Sequence, residues 1–251
     1  MPAVFYLLSM LNFFQTWNFL TLALLFALPG ILIGAARPDL RRVIACVMPF
    51  SLPFACTEFL FYPSYWEPAF LFDLGRHIGF GIEDIIFVTG LAAFTTTAYA
   101  CACKRSYAPL GSIAFRSCCI RALWLFGLTG ALLLVLLEAG IPVIYSSCLV
   151  MAAAALAVFL QRPDLMVPSL LGGGISAVTY FMLCLVATGL MPGIFKNIWH
   201  TEKFLNIFIT GVPLEELLYG FSSGFVATAF YPYVYGRRFI RCTTSEVSCT
   251  K

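Results

Sequence analysis

Five carboxyl side chains stand where an apolar chain has least reason to keep them. Glu215 and Glu216 open a long apolar run in "GVPLEELLYG" (211–220), and Glu83 and Asp84 do the same in "GIEDIIF" (81–87). Glu58 lies inside the hydrophobic stretch "PFACTEFLF" (53–61). A carboxylic acid in a dry pocket can deliver a proton near neutral pH. With a second carboxyl that stays ionised beside it, one site holds both a proton donor and a base or cation stabiliser. A plainer role competes with this one. Acids in the first turn of a helix meet the positive end of its dipole, Pro213 suits the same turn, and Glu58 can snorkel from a span's outer end. Neighbouring residues on a helix point about 100° apart, so one acid of each pair is expected to face solvent as a cap and the other to face inward. An ionisable group inside a bundle marks a functional candidate, which keeps all five in view.

The elements that must position these acids are membrane helices. The chain has 251 residues, 61% of them hydrophobic and 11% charged, against about 25% charged in a soluble domain. Mean hydropathy is +0.93. No water-soluble core could absorb that much apolar surface, so the fold class is an all-α polytopic membrane protein. Residues 1–36 carry no Lys, Arg, Asp or Glu and show neither the basic n-region nor the cleavage site of a signal peptide. They read as a retained first span with an interfacial lead-in through Gln15. About 20 apolar residues cross a bilayer, and runs near 13–36, 43–62, 83–103, 121–138, 141–160, 167–190 and 212–235 predict seven spans.

Loop charges test the count. Arg37, Arg41, Arg42, Lys104, Arg105, Arg116, Arg121, Arg162, Arg237, Arg238, Arg241 and Lys251 fall in alternate loops, which is twelve of the fifteen basic residues. Only Arg76, Lys196 and Lys203 fall on the other side. The positive-inside rule then predicts a cytoplasmic C-terminus and an outer N-terminus, as in a multi-pass protein of the cell (inner) membrane. The net charge of +3 reflects that topology, so no nucleic-acid partner is expected. Cys46, Cys56, Cys148 and Cys184 lie in apolar runs, where cysteine behaves as a small hydrophobe. The CxC and CC spacings of Cys101, Cys103, Cys118 and Cys119 are not a usual zinc pattern, and no metal is expected.

"RPDL" occurs twice, at 37–40 and 162–165. After each copy come a span, a polar aromatic loop with a Trp (Trp66, Trp199), and an acidic pair opening another span. Trp66 to Glu83 is 17 residues and Trp199 to Glu215 is 16. These ordered landmarks predict two three-helix repeats: 1–103, then a connector with a linking helix over 104–140, then 141–236, then a cytoplasmic tail over 237–251. One linking helix makes the repeats parallel, so both acidic pairs fall at the same depth beside a shared cavity. Tyr62, Tyr65, Trp66, Phe87, Tyr219 and Phe221 cluster near the acids, and Trp199 occupies the second loop. An interfacial aromatic belt accounts for the tryptophans without chemistry, whereas aromatic faces lining a cavity can stabilise a carbocation.

These motifs together resemble the integral-membrane lycopene cyclases of the heterodimeric or fused type found in some bacteria, archaea and fungi. The resemblance rests on "GIED" and "GVPLEE" opening helices, the aromatic loops before them, the "RP" helix ends and "LPFACTE", and it runs from about residue 17 to 236. It implies a lycopene β-cyclase-like isomerase acting without a cofactor. A carboxylic acid protonates a terminal alkene, the neighbouring double bond captures the cation, and proton loss leaves a β-ionone ring. Glu215 and Glu216 fall on the second acidic motif, and Glu83 and Asp84 on the first. Glu58 joins them, with Trp66, Tyr65, Phe87, Tyr219, Phe221 and Trp199 as substrate-binding candidates. The chain lacks a GxGxxG fingerprint, and "GGGIS" (172–176) reads as a helix-packing face. Two features depart from the family: "GIE" has no proline, and "AVTYFMLC" in the second unit has no acid to match Glu58.

Three other readings stay open at this point: a membrane terpene cyclase acting on another isoprenoid, a transporter, and a non-catalytic carotenoid-binding subunit. Parallel units lack the inverted symmetry of many transporters, and no pair of broken mid-membrane helices is evident. The expected partners are a lipid-soluble carotenoid or isoprenoid and membrane lipid, with a homo-oligomer or other carotenoid enzymes as further candidates.

Overall fold

The structure is a computed structural model that describes residues 13–112 and 114–242. Seven long helices follow in order: α1 (Asn18–Ala36), α2 (Arg41–Ala55), α3 (Ile82–Ala102), α4 (Phe115–Glu138), α5 (Val143–Gln161), α6 (Met166–Leu190) and α7 (Leu214–Val234). Four short strands complete it: β1 (Arg105–Pro109), β2 (Phe208–Ile209), β3 (Val212–Pro213) and β4 (Arg237–Arg241). Among the described residues, six helices are long and apolar enough to cross a membrane. The seventh, α7, has 21 residues, but its acids, serines and tyrosines dilute its hydropathy. It tolerates them because neighbouring helices shield it: Ser222, Ser223 and Thr228 are buried. The chain is thus a multi-pass, all-α membrane protein.

The centre of the bundle is the contact of α3, α6 and α7. Helices α1 and α2 pack on α3, while α5 and α6 pack on α7. Small residues bring α6 and α7 close. A Cβ on Gly224 would strike Ser176, and one on Gly173 would lie 3.0 Å from the Phe221 ring, so "GGGIS" seats α7 through buried Gly172, Gly173 and Ser176. On the other side a Cβ on Gly90 would lie 2.5 Å from the Ala27 Cα, and Gly90 lets α3 meet α1. Thr228 Oγ1 donates to the Thr95 carbonyl at 3.5 Å and joins α7 to α3.

Both "RPDL" copies have the same local geometry. Pro38–Leu40 and Pro163–Leu165 each form a 3-10 turn. Within them Arg37 bridges Asp39 at 2.8 Å and Arg162 bridges Asp164 at 2.7 Å. Each arginine also donates across to the strand that follows the third helix of its unit, Arg37 to the Arg105 carbonyl at 2.7 Å and Arg162 to the Arg237 carbonyl at 2.9 Å. Those strands, β1 and β4, pair antiparallel over five residues. At the opposite end of the bundle an isolated antiparallel bridge joins Trp66 to Trp199, with Glu67 N–H donating to the Ile198 carbonyl and His200 N–H to the Tyr65 carbonyl, each at 2.9 Å.

The structure adds detail to two sequence expectations and leaves others outside the described residues. The span expected at 43–62 is present as an apolar stretch over Pro38–Phe61 but is interrupted: α2, with Pro49 and Pro53 inside it, ends at Ala55, and a further turn runs Glu58–Phe61. Proline removes a backbone donor and clashes with the turn before it, and Pro49 and Pro53 stand nine and five residues before Glu58, in the helix that ends at Ala55. Residues 237–241, expected as the start of the cytoplasmic tail, form β4 against the connector strand β1. The N-terminal residues 1–12 and the tail residues 243–251, with Lys251, lie outside the described residues.

Candidate active site

Helices α3 and α7 begin at the same end of the bundle, and each begins with its acidic pair. The expectation that one acid of each pair faces solvent is not met. Glu83, Asp84, Glu215 and Glu216 are 0%, 3%, 2% and 5% exposed, and Glu58 is 7% exposed. Exposed caps would keep their carboxylates in water, so capping alone does not account for them.

The pairs divide their work instead. The first member of each holds a loop. Glu83 Oε1 accepts the Leu71 N–H at 2.5 Å. Glu215 Oε1 accepts the Tyr145 hydroxyl at 2.6 Å and the Leu205 N–H at 3.2 Å. The second member of each turns inward: Asp84 and Glu216 line one cavity, and Glu58 joins them there. Glu83 and Glu215, both named as catalytic candidates, are outside that lining, because the helical step between neighbours turns them about 100° toward the loops.

The inward carboxyls sit in different surroundings. Asp84 Oδ2 accepts the Gly81 N–H at 2.7 Å, closing the first turn of α3. Its carboxyl also lies within hydrogen-bonding reach of Glu58, whose Oε1 accepts the Trp66 indole N–H at 2.6 Å. Two carboxyls share a hydrogen bond only if one of them carries a proton. Glu216 is surrounded by donors. Its Oε1 accepts from the Tyr65 hydroxyl at 2.7 Å and the Trp199 indole at 2.8 Å, and its Oε2 accepts from the Tyr180 hydroxyl at 2.8 Å. Three donors suit an ionised carboxylate, which is an acceptor at both oxygens. Burial, with the Glu216 charge beside it, holds the Tyr65 phenol well above its ordinary pKa, so Tyr65 keeps its proton and donates.

Aromatic rings form the rest of the wall. Trp66 and Trp199 stand 4.9 Å apart between centroids, Phe19 meets Trp66 edge-on at 4.7 Å, and Phe26 lies 4.5 Å from Tyr180. Tyr65, Trp66, Phe87, Tyr219 and Trp199, the aromatic candidates from the sequence, all line the cavity. Phe221 does not: it sits on another face of α7, against Gly173 and stacked on Phe225 at 5.6 Å. Sequence reasoning missed Tyr180, Phe19 and Phe26. Tyr180 was legible as the hydroxyl inside "AVTYFMLC", the segment noted for having no acid. Phe19 and Phe26 were legible as a spacing of seven on one face of α1.

Comparison with known proteins adds one finding. Residues 142–234 match the lycopene cyclase family model, a segment that runs through α5, α6 and α7. No curated protein and no solved structure matches the chain.

Proposed function

We propose that this chain is a lycopene cyclase that cyclises the end of a linear carotenoid, lycopene, within the bilayer, a reading supported by the match of residues 142–234 to the lycopene cyclase family model. The observation carrying the reading is the convergence of three buried carboxyls, from the Glu58 turn, α3 and α7, on one aromatic-walled cavity.

The Glu58–Asp84 pair supplies the proton. It adds to the terminal alkene, and the positive charge falls on the more substituted carbon. The neighbouring double bond gives up its electron pair to close the six-membered ring, moving the charge onto a ring carbon. Glu216, ionised among its three donors, faces that charge together with the rings of Trp66, Trp199 and Tyr219. It then takes the proton lost as the ring double bond forms, and the proton returns from Glu216 to the pair. One proton enters and one leaves, no electron is transferred, and the product is an isomer of the substrate with a β-type ring. Electrophilic cyclisation needs water kept away from the cation, which the apolar lining favours.

The test is expression in a lycopene-accumulating bacterium followed by pigment analysis. Ring-bearing carotenoid is the expected product. Lycopene left unchanged beside protein confirmed in the membrane would overturn the reading and turn attention to other isoprenoids.

The proposal includes an orientation. Arg37, Arg105, Arg162 and Arg237 gather at the end of the bundle away from the acids, which supports a cytoplasmic position for that end. A reporter fused after residue 251 is expected to be active in the cytoplasm, and activity only on the other side would reverse the assignment.

A further inference from the structure

The acid cavity does not end at its aromatic wall. Phe54, Thr57, Phe61, Val88 and Tyr219 are shared with a second compartment of about 420 Å³, within the range of small-molecule sites. Among the described residues no charged side chain lines it. From Tyr219 to Phe230 its α7 wall advances about 16 Å at 1.5 Å per residue, roughly half the hydrocarbon thickness of a bilayer. Phe50, Phe126 and Phe230 mark its far end, with centroids 5.5 to 6.2 Å apart.

Helices α2, α3, α5 and α7 supply most of its wall, and α4 supplies much of the rest. That helix rests on α5 and α7, and Leu123, Trp124, Leu134 and Val135 on its outer surface are exposed. Against α2 it makes ring contacts, Phe126 to Phe54 at 5.7 Å and to Phe50 at 6.2 Å. A rod-shaped hydrocarbon with one end at the acids must run somewhere, and this compartment is the apolar continuation of the acid cavity.

We propose that the compartment holds the polyene arm behind the reacting end, and that α4 is its movable wall. The hydrocarbon enters from the bilayer through the seam between α2 and α4, past Phe126. The inference rests on the cyclase reading above and deepens it by assigning the substrate's path and the role of the linking helix. One compartment serves one acid cavity, so a single polyene end reacts per binding event.

Gly130 supplies the test, because it lines the compartment and a Cβ there meets open space. Gly130 is exposed at the edge of the lining, so Gly130→Phe is expected to put a ring at the mouth of the compartment and to leave the three carboxyls untouched. Ala131 is exposed on the opposite flank of α4 and outside the lining, so Ala131→Phe is the matched control. Full-length protein carrying Glu216→Gln is purified in detergent from lycopene-accumulating cells, and lycopene retained per protein is read by absorbance. Retention is expected to fall about tenfold or more on adding Gly130→Phe and to stay unchanged on adding Ala131→Phe. In the otherwise native chain, conversion is expected to follow the same pattern. Equal retention and equal conversion in Gly130→Phe would overturn the compartment. Pigment held by the native chain, displaced by Gly130→Phe, yet never converted would uphold the compartment and overturn the acid chemistry.

Discussion

Glu216→Gln is expected to lower lycopene conversion by roughly two to four orders of magnitude, the usual contribution of a positioned acid or base, while the protein still accumulates in the membrane. The amide keeps the size of the side chain and can still accept from Tyr65 and Trp199, so the wall around it survives. What disappears is the negative charge and the ability to take up a proton. Glu215→Gln sharpens the comparison. Its carboxyl oxygen accepts from Tyr145 and Leu205 outside the cavity lining, and an amide oxygen can do the same. Its effect on conversion is expected to stay within about tenfold. Pigment turnover per membrane-bound protein measures both, and thermal unfolding in detergent checks that each variant is folded. Native turnover in Glu216→Gln would remove Glu216 from the chemistry.

Glu58→Gln and Asp84→Asn are expected to be comparably damaging, each by roughly two to four orders of magnitude, and the double variant scarcely worse than either single one. Groups that act as a unit are non-additive: once either carboxyl is neutralised, the shared proton is no longer poised between two acids. Turnover of the three variants under identical expression forms a double-mutant cycle. Losses that simply multiply would mean that Glu58 and Asp84 act separately, and the pair as proton donor would be abandoned.

Much of this site was legible in the sequence because charge is so costly in a membrane span that each retained acid announces itself. Asp84, Glu216, Glu58 and the two loop tryptophans all line the cavity, while Glu83 and Glu215 hold the loops beside it. Adjacency, however, could not say which acid of a pair turns inward. Glu83 and Asp84 are equivalent in a hydropathy trace, and the choice is made by the loop that reaches Glu83 through Leu71. Phe221 failed for a related reason: proximity in sequence to Tyr219 says nothing about which face of α7 meets Gly173. The break after Ala55 was written in Pro49 and Pro53, but a hydropathy run has no feature that ends at a proline. The place of α4 was hidden too, since a linking helix in a chain diagram gives no hint that it walls a compartment.

Both ends of the molecule are laced shut. Main-chain ladders tie the first three helices to the last three, β1 to β4 at the arginine end and Trp66 to Trp199 at the carboxyl end. A scissor-like parting of the halves, as in rocker transporters, would tear main-chain bonds at one extremity or the other. On the proposed reading the bundle therefore yields only sideways, like a stave easing from a cask whose hoops stay tight, which would hold the spacing between Asp84 and Glu216 while a hydrocarbon passes.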